Sequence, residues 1–217
     1  MKNIYITIAA LAIILISCEK KEKVINTTTV EHDTIVVNEA DSTAEKAADS
    51  VDVRKAWEEY ATPGLAHKMM ADENGTWTAT MTFWEDEKAT PEVYTSTAQA
   101  RMVLSGHYQE VTYEGTMMGM PFQGKSTLAY NNKTGEYTST WIDNMATGMM
   151  VTKGHYDEPV KAIKLSGVMA DPITGKDIKV REVYTFVDPN TRKLETFDTK
   201  EGKKEFKSME IVLKRKK

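Results

Sequence analysis

Six side chains in this sequence have the types that a binding site for a small molecule would need. They are His67, Trp84, Met118, Met120, Trp141 and Asp143. Trp141 and Asp143 are two residues apart, so they share a face if they lie in a strand. Tryptophan rings with one carboxylate and one imidazole would bind an apolar ligand and orient its polar head. We therefore predict that His67, Trp84, Trp141 and Asp143 line one end of a ligand cavity.

Each of these residues also has a purely structural interpretation, which the sequence leaves open. His67 fits a short helix whose contact with the rest of the fold would be hydrogen-bonded. Asp143 fits a turn that its carboxylate would cap, and the tryptophans fit a hydrophobic core.

The methionines are the second candidate group. The chain has 13 of them, and two short stretches hold Met117, Met118, Met120, Met145, Met149 and Met150. Methionine packs well in cores and suits a pocket for varied apolar ligands. Thioethers also hold copper(I), and His67, His107 or His155 would be partners for such a site. Because packing is the commonest role of methionine, we predict no metal site.

The stretch "GMPFQGKS", from Gly119 to Ser126, matches the phosphate-binding pattern G-x-x-x-x-G-K-[ST]. A working P-loop lies between a strand and a helix, which together direct backbone N–H groups at phosphates. Here the pattern is followed by "STLAYNN", which predicts a strand and a turn, and Pro121 has no N–H group. We therefore expect no nucleotide ligand, and we expect the glycines to serve a strand corner or a close backbone approach.

The sequence has none of the usual catalytic patterns. It lacks G-x-S-x-G and H-E-x-x-H, and its acids have no spacing that selects a catalytic pair. The single cysteine lies at position 18, outside any predicted folded segment. We therefore expect a non-enzymatic protein without a cofactor.

Cys18 ends an apolar run near the N-terminus, in "IILISCEKKEK". Lys2 and the uncharged residues 4–16 have the pattern of a secretory signal, and the run is shorter than the roughly 20 residues that span a bilayer. Leu15-Ile16-Ser17-Cys18 resembles the lipobox of bacterial lipoproteins, in which the cysteine is acylated and becomes the new N-terminus. The resemblance implies a signal peptide over residues 1–17 and a lipid anchor at Cys18. It places the protein in the cell envelope of a Gram-negative bacterium, on the outer membrane, with membrane lipid as its partner.

Residues 18–51 have the composition of a flexible linker. They contain no Phe, Trp, Tyr or Gly and show no sustained apolar period. The formal net charge is −4 for the whole chain. Removal of residues 1–17 takes away only Lys2, which gives −4 minus 1, or −5. This charge argues against nucleic acid as a partner.

Residues 52–217 carry the signals of a folded β domain. "DVRKAWEEYA" and "PGLAHKMMA" favour one or two short helices. "WTATMTFW" then alternates, with Trp77, Ala79, Met81 and Phe83 on one face. Turn signals such as "NNKTGE", "DPITGK" and "DPNTRK" divide the rest into strand-length pieces, about ten in all. Short strands without intervening helices predict an antiparallel up-and-down barrel, in which closure removes the exposed edges.

Gly75-Thr76-Trp77 after a short helix resembles the G-x-W start of the calycin barrels, which include lipocalins and fatty-acid-binding proteins. In these proteins a basic residue on the last strand packs across the tryptophan. Alternation along the last predicted strand puts Arg215 on the same face as Met209, Ile211 and Leu213. We therefore predict a cation–π contact between Arg215 and Trp77.

A wider resemblance covers residues 61–217. "PGLAHKMM", "NGTWTATMTFW", "GMPFQGKSTLAYNN", "WIDNMATG" and "KSMEIVLKRK" are similar to the bacterial family known as domain of unknown function 1579. The matching positions are Pro63, Gly64, His67, Gly75, Trp77, Gly119, Pro121, Phe122, Gly124, Tyr130, Asn132, Trp141, Asp143 and Met145. Asn131 and His107 depart from the pattern, which has aspartate and arginine there. The resemblance implies a calycin-like, lipocalin-like barrel and no established activity.

Together these observations predict a membrane-anchored envelope lipoprotein. We expect its barrel to bind a small apolar or amphipathic molecule. The alternative is a barrel filled by its own side chains, which would act as a structural or interaction module.

Overall fold

The computed structural model describes residues 52–217, so the predicted signal peptide, Cys18 and the predicted linker lie outside the described residues. Two helical segments come first, α1 over residues 52–61 and α2 over Leu65–Ala71. Ten strands follow: β1 Gly75–Phe83, β2 Glu92–Val103, β3 Tyr108–Met117, β4 Met120–Asn131, β5 Glu136–Asp143, β6 Met150–Asp157, β7 Ala162–Ala170, β8 Asp177–Asp188, β9 Thr191–Thr199 and β10 Phe206–Arg215. In residues 52–217 no helix is long and apolar enough to cross a membrane.

The ten strands form one closed barrel. Each strand pairs with its neighbours in sequence, and β1 closes the barrel by pairing antiparallel with β10. The predicted up-and-down barrel of about ten strands is therefore confirmed. The closing register joins Trp77 to Arg215 and Phe83 to Met209. Closure leaves no strand of the barrel with an unpaired edge.

The barrel has two ends that differ in what covers them. We call one the helix end, where β1 begins at Gly75 and β10 ends at Arg215. We call the other the loop end, where β5 ends at Asp143 and β6 begins at Met150. Between them the strands alternate as predicted, so that Trp77, Ala79 and Met81 are buried inside.

Helix α2 covers the helix end. The Gly64 N–H donates to Nδ1 of His67 at 3.1 Å, which satisfies one of the free amides at the start of this short helix. Met70 at the other end of α2 is fully buried, and its carbonyl accepts a hydrogen bond from the Gln109 amide at 2.8 Å. The helix is therefore attached to the barrel by one apolar and one polar contact near its C-terminus.

A buried ion pair follows directly after α2. Arg192 Nε donates to Oε1 of Glu73 at 2.5 Å, and both side chains are almost completely removed from solvent. The same carboxylate accepts from the Tyr184 hydroxyl at 3.0 Å and from the Gln109 amide at 2.9 Å. Burial raises the pKa of Tyr184 well above its usual value, so its hydroxyl stays a donor to Glu73. Both oxygens of this carboxylate thus accept hydrogen bonds from donors in the barrel wall.

Two arginines, Arg215 and Arg192, lie near the Trp77 ring at this end. The guanidinium carbon of Arg215 is 4.2 Å from the centroid of the Trp77 ring, the arrangement predicted from the last strand. Arg215 also donates to the carbonyls of Asp72 and Asn74, both at 2.7 Å. The Trp77 indole N–H donates to the Glu73 carbonyl at 2.9 Å. These contacts fix the chain between α2 and β1 against the closing strand.

We expect the buried ion pair to contribute strongly to stability. Arg192→Met should lower the free energy of unfolding by about 3 to 5 kcal/mol, because Glu73 would remain buried without a cation. Denaturant unfolding followed by tryptophan fluorescence measures this change. The matched control is Lys176→Met, which removes a cation from the exposed pair with Glu201 and should cost less than about 1 kcal/mol. Equal losses in the two variants would contradict the prediction.

Candidate ligand site in the barrel lumen

The barrel encloses a cavity of about 290 Å³, which we call the lumen cavity. Its apolar lining includes Trp77, Met81, Phe122, Trp141, Ile163 and Leu213. Its polar lining consists of Glu73, Gln109, Ser126, Ser139, Asp143, Glu182 and the tyrosines Tyr113 and Tyr184. A mostly apolar cavity with a few polar groups is the usual form of a site for a small organic molecule.

The lumen cavity reaches the surface at the loop end. Its lining there includes Phe83, Met117, Met145, Met150 and Met209. Met145 follows β5 and is 39% exposed, so a cavity that it lines is open to solvent at this point. At the opposite end the ion pair of Glu73 and the helix α2 cover the lumen. We therefore place the entrance at the loop end.

Trp141 and Asp143 lie together at this entrance. The Trp141 indole N–H donates to Oδ2 of Asp143 at 2.7 Å. Oδ1 of the same carboxylate accepts from the backbone N–H groups of Met145 and Ala146 at 2.9 and 3.0 Å. Asp143 therefore caps the turn after β5, which was the structural interpretation of the sequence. It also lines the lumen cavity.

The Trp141 ring forms an aromatic wall with two neighbours. Its centroid is 5.3 Å from that of Tyr113 and 6.5 Å from that of Phe122. The ring lies over Gly124 of β4, where an added Cβ would come within 2.5 Å of its Cη2 atom. Only glycine leaves room for this crossing. Burial raises the pKa of Tyr113, which keeps its hydroxyl protonated in the wall.

The segment that matches the P-loop pattern forms part of the same wall. Met118 and Gly119 have positive φ angles of 51° and 76° and make the tight turn between β3 and β4. The rest of the pattern, from Met120 to Ser126, is strand β4. The segment therefore has the geometry of a hairpin, in which a two-residue turn of this kind requires positive φ at both positions.

His67 does not lie near Trp84, Trp141 or Asp143, although the sequence grouped them. It is buried on α2 at the helix end, with its ring 5.9 Å from Tyr130. Burial, together with the nearby His107, lowers its pKa, so the imidazole is neutral and accepts the Gly64 N–H. The structure thus gives His67 the helix contact that the sequence left as the alternative.

The remaining predicted residues lie on the rim or outside the cavity. Trp84 follows β1 with Nζ of Lys207 4.9 Å from its ring centroid, and it does not line the lumen cavity. Met118 and Met120 are exposed at the β3–β4 turn, whereas their neighbour Met117 is buried and lines the cavity. Among residues 52–217, no group of three or more His, Cys, Asp or Glu side chains is placed to hold a metal ion.

Glu182, which the sequence did not single out, is a buried carboxyl group in the wall of the lumen cavity. It lies on β8, is 3% exposed, and accepts a hydrogen bond from the Thr152 hydroxyl at 2.6 Å. Burial raises the pKa of Glu182, and the nearby negative charge of Asp198 raises it further. The signal was present in "DIKVREVYTF", where alternation puts Glu182 on the same face as Ile178 and Val180.

The raised pKa of Glu182 predicts how stability depends on pH. A carboxyl group with a higher pKa in the folded chain binds its proton more tightly when folded, so stability falls as pH rises through the folded value. We expect Glu182→Gln and the wild type to have similar free energies of unfolding at about pH 4. At about pH 7 the variant should be more stable, and urea unfolding at several pH values measures the difference.

The control for this comparison is Glu114→Gln, which removes an exposed carboxylate from the outer face of β3. The free energy of unfolding of Glu114→Gln should differ from that of the wild type by an amount that does not increase comparably with pH. A difference for Glu182→Gln that is the same at every pH would contradict the prediction.

Two solved structures are similar to this chain. The crystal structure of Rv2717c from M. tuberculosis is 13% identical and similar over 72% of this chain and 100% of that chain, with a TM-score of 0.52. A redesigned β-barrel is 17% identical and similar over 70% of this chain and 96% of that one, with a TM-score of 0.36. No curated protein matches the chain. The family model that matches covers residues 62–215, and the chain therefore belongs to the family described as protein of unknown function (DUF1579).

Proposed function

We propose that this protein is a lipid-anchored protein of the bacterial cell envelope whose barrel binds a small apolar or amphipathic molecule. The lumen cavity is the observation that carries the binding part of this proposal. Its volume of about 290 Å³ is close to the lower end of the range for small-molecule sites, roughly 300 to 1,000 Å³. Its walls are mainly apolar, so they would gain free energy by excluding water in favour of a hydrocarbon group.

The distribution of polar groups supports an amphipathic ligand. Asp143 lies at the entrance, while Glu182 and Gln109 lie deeper in the lumen, between apolar side chains. A ligand with one polar group would be oriented by these positions, because each carries hydrogen-bonding atoms in an otherwise apolar wall. The lack of a dense polar lining argues for a ligand that is mostly hydrocarbon.

A barrel filled by its own side chains is the alternative function. Such a barrel would pack its lumen with large residues and leave no room for a ligand. Here the small residues Ala100, Ser126 and Ser139 line the cavity. Their size favours the binding barrel.

Filling the cavity should abolish binding. We expect Ser139→Phe to prevent the fluorescence increase of the neutral dye N-phenylnaphthylamine, since the added ring would occupy the lumen. The matched control is Thr140→Phe, which puts the same ring on the outer face of the same strand and should leave dye binding unchanged. Both would be compared in the chain from residue 18 onward with Cys18→Ser, so that no acyl chain competes.

Two results would contradict the lumen as the binding site. Equal dye binding by Ser139→Phe and Thr140→Phe would place the dye outside the barrel. No dye binding by the parent protein, repeated with extracted envelope lipids, would favour the filled barrel.

The anchoring part of the proposal rests on the sequence around Cys18. The basic residue at position 2, the short apolar run and the small residue before the cysteine agree in type and position with a lipoprotein signal. Acyl chains contribute about 0.8 kcal/mol per buried methylene group, so a multiply acylated cysteine would hold the protein on a membrane. The linker composition of residues 19–51 would let the barrel stand away from that membrane.

We expect Cys18→Ser to release the protein from membranes. In a bacterium that processes lipoproteins, the wild type should partition into the detergent phase and incorporate labelled palmitate. The variant should do neither, because serine has no thiol to acylate. Ser17→Ala is the control, since it keeps a small residue before the cysteine and should leave anchoring intact. Membrane association of Cys18→Ser equal to that of the wild type would contradict the anchor.

A further inference from the structure

Four polar side chains form a group on one side of the lumen, on strands β6, β8 and β9. They are Thr152, Glu182, Thr196 and Asp198, and we call them the acceptor cluster. Glu182 and Thr196 are direct partners in the register of β8 and β9, and Asp198 lies two residues further along the same inward face. Thr152 reaches Glu182 across β7 at Gly167, where an added Cβ would lie 3.1 Å from the Thr152 methyl group.

The acceptor cluster is deeply buried but incompletely hydrogen-bonded. Thr196 is 5% exposed and Asp198 is 7% exposed. Nevertheless, Oγ1 of Thr196 and Oδ1 of Asp198 have no hydrogen-bond partner. A buried polar atom without a hydrogen-bond partner is unfavourable, and most buried polar atoms in folded proteins have one. Two such atoms, on successive inward positions of β9, indicate that a hydrogen-bond partner is missing from the acceptor cluster.

The cluster is also unbalanced in charge and in donors. Its two carboxyl groups face the inside, whereas the basic residues on neighbouring positions face outward. Arg181 pairs with Glu205, and Lys207 contacts Glu195 and Glu210. Burial raises the pKa of Asp198, and the Ser208 hydroxyl and the more distant charge of Lys200, just after β9, only partly offset it. The hydroxyl donors beside the two carboxyl groups are that of Thr152, which already bonds to Glu182, and that of Ser208, which acts on Asp198.

The helix end of the same lumen shows the opposite arrangement. There the carboxylate of Glu73 accepts hydrogen bonds from Arg192, Tyr184 and Gln109. The same barrel therefore pairs the Glu73 carboxylate with Arg192, whereas no cation of residues 52–217 forms an ion pair with Glu182 or Asp198. The difference indicates that the missing donor comes from outside the chain.

We propose that the acceptor cluster binds the positively charged nitrogen of an apolar amine, whose hydrocarbon part lies in the lumen cavity. This inference rests on the proposed function and names the class of ligand. Glu182 is the member of the cluster that lines the lumen cavity, and Thr196 adjoins it on β9, so Glu182 connects the charged group to the hydrocarbon part. An ammonium group supplies up to three N–H donors, which match the unpartnered atoms of Thr196 and Asp198 and the carboxyl group of Glu182. The aromatic wall of Tyr113 and Trp141 provides further apolar contact.

The test compares three probes that share one chain and differ in the head group: octylamine, octanol and octanoate. Each would displace N-phenylnaphthylamine from the chain from residue 18 onward with Cys18→Ser, at neutral pH. We expect octylamine to displace the dye at a concentration about ten- to a hundredfold lower than octanol, the gain of a charge-assisted hydrogen bond in a buried site. Octanoate should be the weakest, because the cluster would repel its carboxylate.

Two variants remove the charge of the cluster without changing its size, Glu182→Gln and Asp198→Asn. In each we expect the preference for octylamine over octanol to fall by about tenfold or more, with octanol binding unchanged. The matched control is Glu114→Gln, which removes a carboxylate from the outer wall and should keep the full preference. Near-ultraviolet circular dichroism of each variant verifies that the aromatic wall is intact.

The outcomes show whether the inference about the amine fails alone or together with the proposed function. If the three probes displace the dye equally, or if Glu182→Gln weakens all three alike, the cluster does not select an amine, while lumen binding stands. If octanol is preferred, the partner is a neutral hydroxyl group and the inference is wrong. If the dye binds but no probe displaces it, the inference about the amine is wrong and lumen binding stands. If the dye itself does not bind, both proposals fail.

Discussion

The buried ion pair between Glu73 and Arg192 is the interaction on which the shape of the lumen depends. It joins the end of α2 to a strand 119 positions later in the chain. A carboxylate so deeply buried must be surrounded by donors, and Tyr184, Gln109 and Arg192 supply them from three different strands. The pair therefore fixes several strands relative to one another and closes one end of the barrel. Because that end is closed, access to the lumen is limited to the other end.

The inside of the barrel has two chemically different sides. Strands β3 to β5 supply the rings of Tyr113, Phe122 and Trp141, while β6, β8 and β9 supply the acceptor cluster. Glycine makes both sides possible, since Gly124 gives room for an indole ring and Gly167 lets Thr152 reach a carboxyl group across a strand. A ligand in the lumen would meet aromatic rings together with Ser126, Ser139 and Asp143 on the side of β4 and β5, and the carboxyl group of Glu182 on the side of β8. This asymmetry is a stronger guide to the ligand than the volume of the cavity.

The sequence predicted the barrel well and the site only in part. Alternation and turn signals are local, and they sufficed for the ten strands and for the contact of Arg215 with Trp77. His67 was misgrouped although the sequence places it before β1 and Trp84 after β1, and a strand of nine residues separates the two ends of the barrel. Glu182 stood out only weakly, since its partner Thr152 lies two strands away. The role of Gly124 likewise depends on a ring from the next strand.

The pairing of β1 with β10 also has a consequence for how the chain folds. The first strand begins at Gly75 and its partner ends at Arg215, so the hydrogen bonds that close the barrel join the two extremes of the folded segment. Contacts so distant in sequence form slowly, because a long loop must be ordered before they are gained. An emerging chain keeps β1 unpaired on one side until β10 has been made. The loss of the final strand would therefore open the whole barrel at the place where Trp77 is buried, and would expose a long edge prone to aggregation.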